Sequence, residues 1–151
     1  MSTSTSTRES VEGELRPVIF CDFDGTITQL DVTDQILTQL AHNIINWHTV
    51  DPTYTRLLMF SALEHHELSQ MFIERYSQAF FSELARFFER RIAEGVFREI
   101  DPMLAAHSFI GLASHYGVTN AIFQRCTPDL PQEQIVDGFV DIFLEGIRKR
   151  S

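Results

Sequence analysis

A chain of 151 residues with a formal net charge of −9 is long enough to bury a core of its own. It is poorly suited to a nucleic-acid surface, which needs clustered Lys and Arg, and its hydrophobic fraction of 44% with thirteen Phe excludes disorder over most of its length. Two cysteines, Cys21 and Cys126, without CxxC spacing exclude a disulfide framework; with no apolar run of transmembrane length and no secretory core in Met1–Ser10, the expected setting is the cytoplasm, with no membrane partner.

Ser2–Thr7 alternate Ser and Thr, so residues 1–16 are expected to be a disordered tail. Pro17–Cys21 is short, β-branched and bounded by Pro and an Asp-Gly turn, the pattern of a strand. The period then changes: Val32, Ile36, Leu37, Leu40, Ile44 and Ile45 recur at helical spacing. Asp51-Pro52 opens a second helix through Leu57, Leu58, Phe60 and Leu63, with Asp as N-cap and Pro at the first helical position. From about Glu67 to Glu94 a four-residue step through Leu68, Phe72, Tyr76, Phe80, Leu84 and Phe88 predicts a long helix buried against more than one neighbour. Gly95 stops it, and Asp101-Pro102 repeats the earlier start signal.

Ala113, Gly117 and Ala121 lie at i, i+4 and i+8 of the next helix, a narrow face that admits another helix closely. The last helix starts near Pro131 and is apolar on two sides, Ile135, Phe139 and Ile142 on one, Val136, Val140, Phe143 and Ile147 on the other. A second subunit is the simplest cover for such a surface. The fold class expected is therefore mainly α, an antiparallel helix bundle of about five helices, with one short strand-like segment near the N-terminus.

The sharpest chemical signal is Asp22-Phe23-Asp24-Gly25-Thr26, where the apolar run Val18-Ile19-Phe20-Cys21 ends in two carboxylates two positions apart. With Ile27-Thr28 this resembles the first motif of the haloacid dehalogenase superfamily of phosphatases, and the likeness extends weakly through Leu40, with Asp31-Val32-Thr33-Asp34 similar to the phosphoserine-phosphatase-like branch. The resemblance implies Asp22 as nucleophile, Asp24 as acid/base, and Mg²⁺ held by both, which neutralises phosphate charge so that a carboxylate can attack. That family also uses a Ser or Thr, then a Lys or Arg, then a later acidic pair. The sole lysine, Lys149, follows every candidate for that pair, and Asp137-Gly138-Phe139-Val140-Asp141 falls inside a helical pattern, where it reads as two exposed Asp one turn apart. Catalysis is not expected, and neither is a cofactor; Mg²⁺ belongs to the phosphatase alternative alone.

Four further stretches share an order and spacing. They are Asp51–Glu64, then Phe87-Phe88-Glu89-Arg90-Arg91 with Glu94-Gly95-Val96-Phe97-Arg98, then Asp101-Pro102 before Ala105-Ala106, and the ending Ile135–Arg148. Together they resemble the C-terminal, ligand-sensing and dimerising domain of TetR-like transcriptional regulators. The division expected is a first-motif fragment over 17–41 and the helical domain over 42–148. The resemblance implies a homodimer and a small apolar or amphipathic effector held between helices. Those regulators begin with a DNA-reading domain, and nothing before Asp51 offers a basic recognition helix, so a non-catalytic fusion without nucleic-acid binding is expected. A purely structural dimerisation module is the other alternative.

Pocket candidates under this resemblance are Trp47, Met59, Phe60, Leu63, Met71, Phe72, Tyr76, Phe109, Ala113 and Tyr116. Dimer-interface candidates are Gly117, Ala121, Ile135, Phe139, Val140 and Phe143. The six histidines, His42, His48, His65, His66, His107 and His115, lack paired-ligand spacing and read as surface or polar-core residues.

Overall fold

Leu37, Ala41, Ile44, Ile45 and His48 recur at steps of one, three and four, and in the computed structural model they form the buried stripe of α1 (Leu30–Thr49). The residues described are 30–123 and 129–149. Pro17–Cys21, the carboxylates Asp22 and Asp24, and the expected tail lie outside them.

Asp51 caps α2 (Pro52–Leu63) as its sequence predicts, accepting from the Thr53 N–H at 3.0 Å with Pro52 in the first turn. The buried face of α2 is narrow and partly polar, Thr55, Leu58 and Ser61. His65 takes a φ of 54° to reverse the chain, and His66 starts α3 (Glu67–Phe72), its Nδ1 accepting from the Leu68 N–H. Phe72, Ile73, Ser77 and Gln78 all hold right-handed helical dihedrals. So α3, a π-helical stretch over Ile73–Ser77 and α4 (Gln78–Ala93) run on as one rod, the long helix expected from the four-residue step. Gly95, at φ 75°, ends it with its N–H on the Ile92 carbonyl. Asp101 then caps α5 (Pro102–Phe123), accepting from the Leu104 N–H at 2.7 Å, and α6 (Gln132–Ile147) closes the bundle.

The core lies where α1, α4, α5 and α6 meet. Phe88 is 0% exposed, its ring centroid 5.6 Å from Phe143 and 5.8 Å from Phe97, while Phe109 meets Phe143 at 5.1 Å. Leu37, Ile45, Leu84, Val136 and Leu144 fill the space around them. Among the described residues the extended backbone amounts to one antiparallel bridge, Phe97 with Arg148. There the Arg98 N–H donates to the Ile147 carbonyl and the Lys149 N–H to that of Val96. Arg148 also donates to both carboxylate oxygens of Asp34 at 2.8 Å, tying the end of α6 to the start of α1. No described helix is long and apolar enough to cross a membrane.

Two faces named above as interface candidates have neighbours within the protomer. The small-residue face of α5 is occupied from within the chain: α1 packs along α5, and a Cβ at Gly117 would stand 2.9 Å from Cδ2 of His48. Gly117 is therefore a site of close approach inside the protomer, and Ala121, one turn further along α5, is buried too. The doubly apolar α6 is likewise largely covered by its own chain, because it lies against both α1 and α5. Ile135, Val140 and Phe143 are buried, and Phe139 is half-buried with its ring edge on Tyr116. On that helix Ile142 is the large apolar side chain left in solvent.

Candidate functional site

Opposite the dense core, α1, α2, the α3–π–α4 rod and α5 enclose a cavity of about 380 Å³. Its wall is aromatic and aliphatic. Trp47 stacks on Phe72 at 5.7 Å with the rings 20° apart, Tyr54 meets both edge-on, and Tyr76 lies 5.7 Å from Phe72. Leu58, Met59, Phe80, Phe81, Ile110 and Val118 complete most of the apolar surface.

On α2 the wall is formed by Tyr54, Leu58, Met59 and Ala62, while Thr55 and Ser61 are buried on that helix without lining the cavity. Ser61 Oγ accepts from the Ser69 N–H at 3.1 Å, and Ser69 Oγ donates to the His66 carbonyl at 2.9 Å, so these hydroxyls fix the α2–α3 corner. The π-helical stretch contributes Ile73, Arg75, Tyr76 and Ser77 to the wall. Wider turns of this kind redirect side chains within a helix and recur at functional sites. Arg75 is engaged in an interaction of its own.

His48 is the one ionisable group sunk into this wall, 7% exposed. Its Nδ1 lies 3.0 Å from Thr55 Oγ1, and Trp47 packs edge-on at 4.7 Å. Burial pushes its pKa from 6.5 down to about 4, because a low-dielectric site disfavours the imidazolium. The ring is neutral at pH 7. Three other histidines have plain placements: His66 caps α3, His107 stacks on Phe81 at 4.0 Å, and His42 sits 3.5 Å from Gln132. Among the described residues no three His, Cys, Asp or Glu side chains group as metal ligands.

Of the pocket candidates, Trp47, Met59, Phe72 and Tyr76 line the cavity. Phe60 and Leu63 face solvent instead, since α2 buries only one narrow stripe, and Met71 on α3 is exposed as well. Phe109, Ala113 and Tyr116 belong to the packed core, because the face of α5 that carries them is turned toward α1 and α6. The cavity is met on α5 by Ile110, Ser114 and Val118. Sequence reading missed His48, Tyr54 and Leu58. The available signal was that His48 continues the Ala41, Ile44, Ile45 stripe, a polar residue in a buried register. Asp22 and Asp24, read as catalytic and Mg²⁺-binding under the phosphatase alternative, lie outside the described residues. Asp137 and Asp141 are exposed on α6.

The family model described as AefR-like transcriptional repressor, C-terminal domain, matches residues 35–146. No curated protein and no solved structure matches the chain. The matched span contains the whole cavity wall and begins beyond Asp22–Thr28; the phosphatase resemblance has no support among these comparisons.

Proposed function

The chain belongs to the family of AefR-like transcriptional repressor C-terminal domains, and we propose that it is the effector-sensing and dimerising part of such a regulator. The observation that carries the sensing role is the cavity of about 380 Å³, walled by Trp47, Tyr54, Phe72 and Tyr76. A preformed apolar cleft of this size, with few polar groups converging on it, suits a small apolar or amphipathic molecule. Trp47 is the single tryptophan of the chain, so its emission reports occupancy directly. Titration with bicyclic and tricyclic aromatics should shift that emission and raise Tm together, since a ligand bound only by the folded state stabilises it. If no member of such a panel moves either signal, the sensing role falls.

Dimerisation is supported by the outer faces of α5 and α6. Leu104 is 57% and Ile142 67% exposed. Gly111 and Gly138 sit within these helices with nothing within 4 Å of where a Cβ would stand. A mid-helix glycine costs about 1 kcal/mol relative to alanine, and no neighbour within the protomer accounts for that sacrifice. Close approach of a partner helix does. Sedimentation at about 10 µM, a concentration that populates a stable dimer, should give a dimer that Gly111→Leu or Ile142→Glu dissociates. A monomeric native protein at that concentration would refute the pairing.

A further inference from the structure

The polar side chains in the cavity wall are not equivalent. Arg75 is exposed and engaged in an interaction of its own; Trp47, Tyr54, Tyr76, Ser77 and Ser114 are half-buried and within reach of water, whereas His48 and Ser69 are buried. Ser69 has already given its hydroxyl proton to the His66 carbonyl. His48 is held on two sides, by Thr55 at Nδ1 and by the Gly117 backbone beside Cδ2. Its Nε2 makes no hydrogen bond among the described residues, and it is not a sealed atom, a state that falls only on Thr33 Oγ1 there.

The difference in enclosure between Thr55 Oγ1 and His48 Nε2 favours one direction for the His48–Thr55 bond. Thr55 Oγ1 carries one hydrogen, and no other acceptor takes it among the described residues. Were the ring to donate from Nδ1, that buried hydroxyl hydrogen would be stranded, at the desolvation cost such groups carry. With Thr55 donating to Nδ1, the buried hydroxyl hydrogen is used, and the one hydrogen left over is the ring's, on the less enclosed Nε2. The proton of the neutral ring then sits on Nε2, and the tautomer is assigned by this network rather than seen.

We propose that the Nε2–H of His48, oriented by Thr55, is the hydrogen-bonding anchor of the cavity, and that the effector is an uncharged aromatic molecule bearing an acceptor oxygen such as a ketone or ester. This rests on the effector-cavity reading and narrows it. The depressed pKa of the ring agrees, since a neutral imidazole offers one donor and no charge to attract an anion. An apolar isostere seated against the ring would displace water from Nε2–H and leave it unpaired, which is how buried donors discriminate between ligands of one shape.

The test uses the full chain with three probes: 2-acetylnaphthalene, its near-isostere 2-isopropylnaphthalene, and the anion 2-naphthoate. By calorimetry the ketone should bind about tenfold more tightly than the hydrocarbon, with the anion weakest. His48→Phe should abolish the preference while both neutral probes still bind. If that variant does not fold, Thr55→Val serves, retaining the ring, releasing the tautomer and lowering the preference below about threefold. Long-range proton–nitrogen NMR of the native ring should show the hydrogen on Nε2. Equal binding of the two neutral probes overturns the anchor and leaves the cavity reading standing. Tightest binding of 2-naphthoate overturns it in favour of charge recognition. Failure of all three probes to bind removes the cavity reading and the anchor with it.

Discussion

Phe72 and Phe88 lie on one continuous helical rod, in step on the same four-residue repeat, yet their surroundings differ completely. Phe88 is sealed among Phe87, Phe97 and Phe143. Phe72 is half-buried and shares its rings, Trp47, Tyr54 and Tyr76, with a void. The difference comes from what stands opposite. Around Phe88, α6 brings Val136, Phe143 and Leu144 into the space. Around Phe72 there is no such filler, because α6 lies against α1 and α5 and does not reach α2 or α3. In its place stands α2, which meets the void with Leu58, Met59 and Ala62. A ring at helical spacing thus becomes core or wall according to the volume its neighbours supply.

Truncation should separate the two ends most clearly. Phe88→Ala is expected to cost about 3–5 kcal/mol, the range for removing a fully packed aromatic. Phe72→Ala should cost under about 1.5 kcal/mol, because the ring already borders empty space and has fewer packing partners to lose. It should nonetheless weaken aromatic ligands. Urea unfolding of the two variants measures both costs; equal losses would mean that the cavity end is as tightly packed as the core.

Acid should also attack one end before the other. With its pKa lowered from 6.5 to about 4 by burial, His48 stays neutral in the folded chain while the unfolded chain takes up the proton. Stability therefore falls as pH drops through 6.5 toward 4, changes no further from this group below 4, and is unaffected above about 7. The lowered pKa corresponds to roughly 3 kcal/mol across that window. His48→Phe should flatten this part of the stability profile measured by urea unfolding at stepped pH. A variant whose profile still tracks the native one would place the pH-sensitive group elsewhere.

These contrasts also show where sequence was legible. Asp51-Pro52, Asp101-Pro102 and Gly95 act through local backbone chemistry, so the starts of α2 and α5 and the stop of α4 fall where the chain alone puts them. The stripe Ala113, Gly117 and Ala121 announces a close approach, but spacing says nothing of which helix arrives. It is α1 of the same chain, through His48. The π-helical stretch Ile73–Ser77 leaves no trace in composition, since it changes the hydrogen-bond register and not the residue types a helix accepts. Trp47, Met59, Phe72 and Tyr76 were nameable as pocket candidates, and Phe109 and Tyr116 fitted the same pattern. Only tertiary volume distinguishes wall from core.

The smallest expected effect is the most direct test of that volume argument. Ser114 stands on α5 at the cavity wall, and Ala106 stands on the same helix at 0% exposure in the core. Each can be enlarged to Leu without leaving the set of good helix formers. At Ser114 the added carbons enter open space and gain the burial of apolar surface, so the variant should be about 1 kcal/mol more stable. It should also exclude aromatic ligands, since the new side chain occupies their volume. At Ala106 the same carbons meet close-packed neighbours and force rotamer or backbone shifts, an expected loss of about 1–3 kcal/mol. Opposite signs from one substitution type on one helix would locate the void by energy alone. Destabilisation at both positions would show that the cavity closes around its rings in solution, and that the space beside Phe72 is not held open by the fold.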